Sequence, residues 1–173
     1  MTKKYLLLFL LVLAIQSSLS AQENEDIFTI YLVRHSEKDL TSSQPSDPPL
    51  TACGKQRSVN LSNFLKGVPL DAVYSSNYSR TKNTALPTAK SKGLEITIYN
   101  PEELETFSKQ LLKSKQDALV VGHSNTTGVL AGILVDEEIG EFNLDIYDRI
   151  YQVVIYNHSG RLHLLHLGIE CNE

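Results

Sequence analysis

The sequence predicts an α/β fold: three layers, α/β/α, around a mostly parallel central sheet, with a C-terminal β-hairpin. Three observations carry this expectation. Short apolar, β-branched runs at 27–33, 71–75, 95–99 and 117–122 alternate with segments of helical periodicity, the pattern of strands joined by crossover helices. The runs at 27–33, 71–75 and 117–122 each stop at a polar cluster, as strands do where a parallel sheet meets its ligand-binding loops. Two final runs, 151–156 and 161–167, flank Asn157-His158-Ser159-Gly160, a hairpin turn signal.

A chain of 173 residues suits one domain. Its start differs from the rest. Lys3 and Lys4 precede an apolar run from Tyr5 to Ile15, and Gln16-Ser17-Ser18-Leu19-Ser20-Ala21 follows. That is the layout of a secretory signal peptide, and the run is short for a bilayer span. Residues 1–21 are expected to be a signal peptide cut after Ser20 or Ala21, with a retained N-terminal anchor as the alternative. Residues 22–173 would then be an exported domain, periplasmic or secreted, with no stable membrane anchor after cleavage. Without Lys3 and Lys4, its 14 basic residues face 20 acidic ones, a formal charge of −6. That balance does not suggest nucleic acid or an anionic membrane surface as partner, so any anion site must be local. The two cysteines, Cys53 and Cys171, leave one disulfide open and are too few for a disulfide framework.

The elements follow in order. Ile27 to Val33 reads as a buried strand. Residues 38–50, rich in Ser, Pro and Asp, read as a loop placed to cover a site next to Arg34 and His35. Thr51 is a good N-cap for a helix over 52–66, with Val59, Leu61, Phe64 and Leu65 as apolar positions and Gly67 as its stop. After the strand at 71–75, a helix is expected from about Ser79 to Lys92, disturbed by Pro87 and ended by Gly93. Arg80 falls in its first turn, where a cation opposes the helix dipole unless an anion binds nearby. The strand at 95–99 leads into a helix opened by Asn100-Pro101, with Leu104, Phe107, Leu111 and Leu112 on its apolar face. The strand at 117–122, a short helix at 129–135 and an acidic, irregular stretch at 136–149 precede the hairpin.

If the sheet is parallel, Arg34, His35, Arg80 and His123 converge on one rim. Two arginines and two histidines in one place repel unless an anion sits among them. A phosphoryl group fits: arginine forks bind its oxygens in pairs, and an imidazole nitrogen can attack phosphorus and carry the group. Charge stabilisation completes the requirement, and Arg and His⁺ supply it without a metal or other cofactor. His158, His163 and His166 do not read as a metal site, since His163 and His166 lie an odd number of residues apart on a strand and face opposite ways.

Leu32-Val33-Arg34-His35-Ser36-Glu37 resembles the LVRHGE or LVRHAE signature of the histidine phosphatase superfamily, the phosphoglycerate-mutase-like proteins. The resemblance continues in the family's order through Asp47-Pro48-Pro49-Leu50-Thr51 with Gly54, Tyr74-Ser75-Ser76 with Arg80-Thr81 and Thr84-Ala85, and Val121-Gly122-His123-Ser124-Asn125. It implies that residues 22–173 form a histidine phosphatase domain. His35 would be the nucleophile that becomes phosphohistidine, Arg34 and Arg80 would grip the phosphoryl oxygens, and His123 would be the second, positively charged histidine. Glu37 would orient the site or serve as a plain loop carboxylate. Ser76 and Asn125 would line the pocket or make local turn and cap bonds. Ser36 departs from the usual Gly or Ala. The general acid has no clear motif: the segment Asn100-Pro101-Glu102-Glu103-Leu104-Glu105 offers acids in about the right region, Glu103 is the first choice, read otherwise as an acid favoured by the helix dipole, and Asp148 is another.

The expected activity is metal-independent hydrolysis of phosphomonoesters through a phosphohistidine intermediate on His35. The expected partner is a phosphorylated small molecule or a phosphorylated envelope component. Two alternatives stand beside it: a non-catalytic phosphoryl-binding module on the same fold, and a phosphomutase.

Overall fold

The apolar run beginning at Ile27 becomes β1 (Ile27–Arg34), a strand near the middle of a six-stranded sheet. The computed structural model describes residues 27–157 and 159–169. The expected signal peptide, Cys171 and His158 lie outside those residues. After β1 come α1 (Ala52–Phe64), β2 (Ala72–Ser75), α2 (Ser79–Lys92), β3 (Ile96–Ile98), α3 (Leu104–Ser114), β4 (Ala118–Gly122), α4 (Thr127–Val135), β5 (Arg149–Tyr156) and β6 (Ser159–His166). The strand order is β3-β2-β4-β1-β5-β6. The first four strands of that order run parallel, and β5 and β6 are antiparallel additions. The expected mixed architecture is the observed one.

Alternation along β1 divides the core. Phe28, Ile30 and Leu32 face one layer with Phe107 and Leu111 of α3 and Leu130 and Leu134 of α4. Tyr31 and Val33 face the other, with Leu61 of α1 and Ala85 and Ala89 of α2. Period-two side-chain alternation lets one strand serve both layers.

Several boundaries differ from the sequence expectation, each for a local reason. Thr51 does cap α1, its side chain accepting the Gly54 amide at 3.0 Å. The helix ends at Phe64, however, with Leu65 at φ −85° bonding back to Asn63 and Leu61, so Gly67 is not its stop. Val59 and Phe64 are exposed; α1 buries small residues such as Ser58 and Ser62, and the Ser62 hydroxyl meets Ser91 of α2 at 3.2 Å. α2 runs through Pro87 and closes on Gly93 at φ 67°, the left-handed conformation that glycine favours. α3 starts at Leu104 rather than at Pro101. The Asn100 side chain accepts the Glu102 amide at 3.1 Å and donates to Glu103 Oε1 at 3.0 Å, a local turn that competes with helix. β3, at the edge of the sheet, is confined to three residues, each paired with β2, which itself spans only four. The hairpin is tighter than expected, since Tyr156 already pairs with Ser159 and Asn157 takes a left-handed φ of 45°. Cys53, in the first turn of α1, is disulfide-bonded. No helix among the described residues is long and apolar enough to cross a membrane.

Candidate active site

Parallel pairing puts the C-terminal ends of β2, β4 and β1 side by side. Ser75 stands opposite Val121, and Arg34 opposite Gly122. The chain leaves each strand there, carrying Arg34 and His35 from β1, Ser76 and then Arg80 from β2, and His123 from β4. The His35 and His123 ring centroids are 5.5 Å apart. All four residues expected to converge do so, although they are up to 89 positions apart in the chain.

His35 is only 4% exposed. Its amide bonds the Gly122 carbonyl at 2.9 Å, and its Nδ1 lies 2.8 Å from the Ser36 carbonyl oxygen. A carbonyl only accepts, so Nδ1 carries the hydrogen and Nε2 keeps its lone pair. Burial holds the ring's pKa down to about 3, with Arg34, Arg80 and His123 adding to the shift and the Ser36 carbonyl opposing it. At neutral pH this is an uncharged imidazole with one bare nitrogen.

Arg34 donates through Nη1 to the Leu144 carbonyl at 2.5 Å and the Ile146 carbonyl at 2.9 Å, and its guanidinium lies 3.9 Å from the Tyr147 ring centroid. Its Nε is buried with no protein partner. The stretch 142–148, which the sequence offered as acidic and irregular with Asp148 as a candidate acid, is therefore a strap that holds Arg34. On the opposite side the Arg80 guanidinium lies 4.4 Å from the Tyr78 ring centroid, and its buried Nε likewise lacks a protein partner. Asp47, in the loop expected to cover the site, accepts the Ser79 amide with both oxygens, at 2.9 and 3.0 Å, and stands 3.4 Å from Arg80 Nη1.

The resemblance implied a charged His123. Burial, with Arg80, Arg34 and Lys38, holds its pKa down to about 4, so among these protein charges alone the ring is neutral near pH 7. An anion placed among the same cations would oppose their effect. His123 lines a cleft of about 250 Å³ with Tyr78, Arg80, Pro101, Glu102, Asn125 and Thr126. Behind it, Gly122 leaves room for Tyr99 and Thr126: a Cβ there would lie 2.7 Å from the Tyr99 hydroxyl.

The weaker expectations separate. Asn125 is at the cleft. Ser76 is fully buried and bonds His123 Nε2 at 2.9 Å, so it supports the pocket from behind. Glu37 is not a cleft group. Arg57 holds its carboxylate through Nε and Nη2 at 2.6–3.0 Å, and Arg57 Nη1 reaches the Leu167 carbonyl at 3.0 Å. Gly54 permits this clamp, since a Cβ there would collide with the Glu37 carbonyl oxygen. Glu103 does not line the cleft: the Asn100 turn engages it, and its neighbour Glu102 faces the cleft. Asp148 pairs with His166 at 2.9 Å, a bond that holds its carboxyl below the usual carboxylate range and so ionised. Among the described residues no group of three or more His, Cys, Asp or Glu could hold a metal ion.

Sequence reasoning missed Asp47, Tyr78 and Tyr147 as site residues, and offered Glu102 only as one acid of the segment 100–105, behind Glu103. Asp47 was within reach, because it sits in the Asp-Pro-Pro-Leu-Thr segment that carried part of the resemblance. Glu102 and Tyr147 depend on turns whose direction the sequence does not encode.

Residues 30–105 match the family described as histidine phosphatase superfamily (branch 1). A probable phosphoglycerate mutase, GpmB, of Shigella dysenteriae serotype 1 is 31% identical over 127 residues, covering 70% of this chain and 59% of that protein. The chain thus spans little more than half the length of such curated relatives. Among solved structures, the protein histidine phosphatase SixA complexed with tungstate superposes with a TM-score of 0.69 at 20% identity, over 80% of this chain and 97% of SixA. The alpha-ribazole phosphatase from Shigella flexneri gives 0.68 at 18% identity, over 83% of this chain and all of that one. These two likenesses establish the fold, and with the matched segment and its motif order the chain belongs to the histidine phosphatase superfamily.

Proposed function

We propose that this protein is a metal-independent phosphatase that hydrolyses phosphomonoesters through a phosphohistidine on His35. The observation that carries the reading is the His35 ring: buried, neutral, anchored through Nδ1 to the Ser36 carbonyl, with a bare Nε2 in the company of Arg34, Arg80 and His123. The Nε2 lone pair attacks phosphorus, and the bond to the leaving oxygen breaks with its electron pair on that oxygen. Arg34 and Arg80 hold the phosphoryl oxygens through nitrogens that have no protein partner. A proton from the Glu102 carboxyl neutralises the leaving oxygen. Water then attacks phosphorus, the Glu102 carboxylate takes its proton, and inorganic phosphate leaves with His35 restored.

The substrate is a phosphorylated small molecule or a phosphorylated component of the cell envelope. Export as a signal-cleaved protein is part of the proposal. The N-terminal pattern motivates it, and the Cys53 disulfide is chemistry favoured by an oxidising compartment. The mutase reading is motivated by the GpmB likeness, of whose length this chain spans 59%.

The test is phosphate release from p-nitrophenyl phosphate in EDTA by the wild type beside His35→Ala. Turnover in the wild type alone is the expected result. Equal turnover in both, with the variant folded, overturns the assignment of His35. Phosphate or vanadate binding without turnover across a broad substrate panel returns the protein to a binding module. Transfer to a second substrate hydroxyl instead of water makes it a mutase.

A further inference from the structure

His123 is held by a chain of hydroxyl groups. Its Nε2 lies 2.9 Å from Ser76 Oγ, which lies 3.1 Å from Thr81 Oγ1. Thr81 Oγ1 in turn lies 2.8 Å from the Ser76 carbonyl oxygen and 2.9 Å from the Tyr78 carbonyl oxygen. Ser76 and Thr81 are both fully buried.

The protons along this chain can be placed by counting donors. A carbonyl oxygen only accepts, and a hydroxyl has one proton to give. Thr81 Oγ1 is too close to two carbonyl oxygens to face both with lone pairs, so its proton points at one of them. Toward Ser76 it can then only accept. The Ser76 proton goes to Thr81, which leaves a Ser76 lone pair facing His123 Nε2, and Nε2 must carry the hydrogen. We infer that Ser76 and Thr81 are positioning residues that fix His123 as its Nε2–H tautomer and reserve its Nδ1 for the phosphoryl group or the leaving oxygen. The inference deepens the phosphatase reading and rests on it for the identity of the bound group.

The two histidines of the site are thus set in opposite senses. His35 gives Nδ1–H to the Ser36 carbonyl and keeps Nε2 bare for attack. His123 gives Nε2–H to Ser76 and keeps Nδ1 bare for a proton. Arg80, Arg34 and Lys38 face His123 as charges, with the His35 and Tyr78 rings beside it. A phosphoryl anion bound among them opposes that field and favours the charged ring. A proton from solvent, or from a phosphoryl monoanion, then enters at Nδ1. Both N–H groups of the imidazolium are satisfied, one by Ser76 and one by the anion, and no heavy-atom bond changes in the step.

The test reads the tautomer directly. In protein labelled with ¹⁵N-histidine, two-bond ¹H–¹⁵N spectra at neutral pH distinguish the two tautomers. The His35 and His123 signals are identified by their loss in His35→Gln and His123→Gln. The expected wild-type result is Nδ1–H for His35 and Nε2–H for His123. Thr81→Val keeps the side chain's shape but removes the acceptor, so the Ser76 proton turns to Nε2 and His123 moves toward Nδ1–H. Thr81→Ser keeps the wild-type tautomer. With p-nitrophenyl phosphate, Ser76→Ala and Thr81→Val lower kcat/KM roughly ten- to a hundredfold, the worth of one hydrogen bond to a charged group, and Thr81→Ser restores most of it. An Nδ1–H signal for wild-type His123 overturns the inference whatever the turnover. So does an unchanged Nε2–H signal in folded Thr81→Val. The expected tautomers in a protein that turns over no phosphate ester would overturn the phosphatase reading and leave the proton assignment supported.

Discussion

Asp47 Oδ1 lies 3.4 Å from Arg80 Nη1, and the same carboxylate takes the backbone amide of Ser79 at the start of α2. A residue of the Ser- and Pro-rich loop therefore holds both the helix terminus and the guanidinium assigned to the phosphoryl group. The carboxylate also offsets the unfavourable placement of Arg80 in a first helical turn.

Asp47→Asn keeps an amide acceptor and removes the charge that competes for Arg80. Inhibition by inorganic phosphate should tighten by roughly two- to fivefold, in line with a partly exposed ion pair. Asp47→Ala also loses the cap and should cost about 1 kcal/mol of stability in urea unfolding. Weaker phosphate inhibition in Asp47→Asn would show that the pair positions Arg80 more than it competes with the anion.

The Glu37–Arg57 clamp joins the loop after His35 to α1 and to the Leu167 carbonyl. Arg57→Leu strands a mostly buried carboxylate and should lower stability by about 2–3 kcal/mol, seen as a fall in Tm. Because Glu37 does not face the cleft, the folded variant should keep its KM for p-nitrophenyl phosphate. A large rise in KM at unchanged Tm would give Glu37 a direct part in binding.

Acid should destabilise the fold through the buried histidines. The pKa of His35 falls from 6.5 to about 3 on folding, so the unfolded chain binds protons first as pH drops. The stability cost begins below pH 6.5 and grows until about pH 3, reaching about 2 kcal/mol at pH 5 from this ring alone. His123, held at about 4, acts in the same direction. Urea unfolding at pH 7 and pH 5 should show the loss, and His35→Asn should remove about half of it, since His123 contributes about as much at pH 5. An unchanged slope in that variant would place the acid sensitivity elsewhere.

Glu102 and Glu103 are adjacent in sequence and differ in surroundings. Glu102→Gln should lower kcat for an alkyl phosphate by roughly a hundredfold, and much less for p-nitrophenyl phosphate, whose leaving group needs little help from an acid. Glu103→Gln should stay within about twofold of wild type on both, since it changes only the Asn100 turn. The reverse pattern would restore Glu103 as the acid.

Much of this molecule can be read along the chain. β1 is legible because Ile27 to Val33 is apolar without a break and Arg34-His35 ends it. Arg80 and His123 are legible as partners because each follows another apolar run. The misses are equally local. Glu103, the first choice for the acid, is held off the cleft because the Asn100 side chain folds a turn before α3 begins. Glu37 was placed at the pocket because its nearness to His35 in sequence hides the Arg57 side chain that claims it.

By itself the sequence determined the order of strands and helices, the rim on which the chemistry gathers, and the four residues Arg34, His35, Arg80 and His123. Hydrophobic periodicity and strand-end placement are properties of a short stretch of chain, and they survive without knowledge of its neighbours. The tertiary structure alone decided which nitrogen of His35 is bare, that Leu144, Ile146 and Tyr147 hold Arg34, that Asp47 holds Arg80, and that Ser76 and Thr81 stand behind His123. Those facts turn on hydrogen bonds and charge contacts a few ångströms long, most of them between residues far apart in sequence. Such short contacts depend on how the loops above the sheet close, and no periodicity in the chain records that.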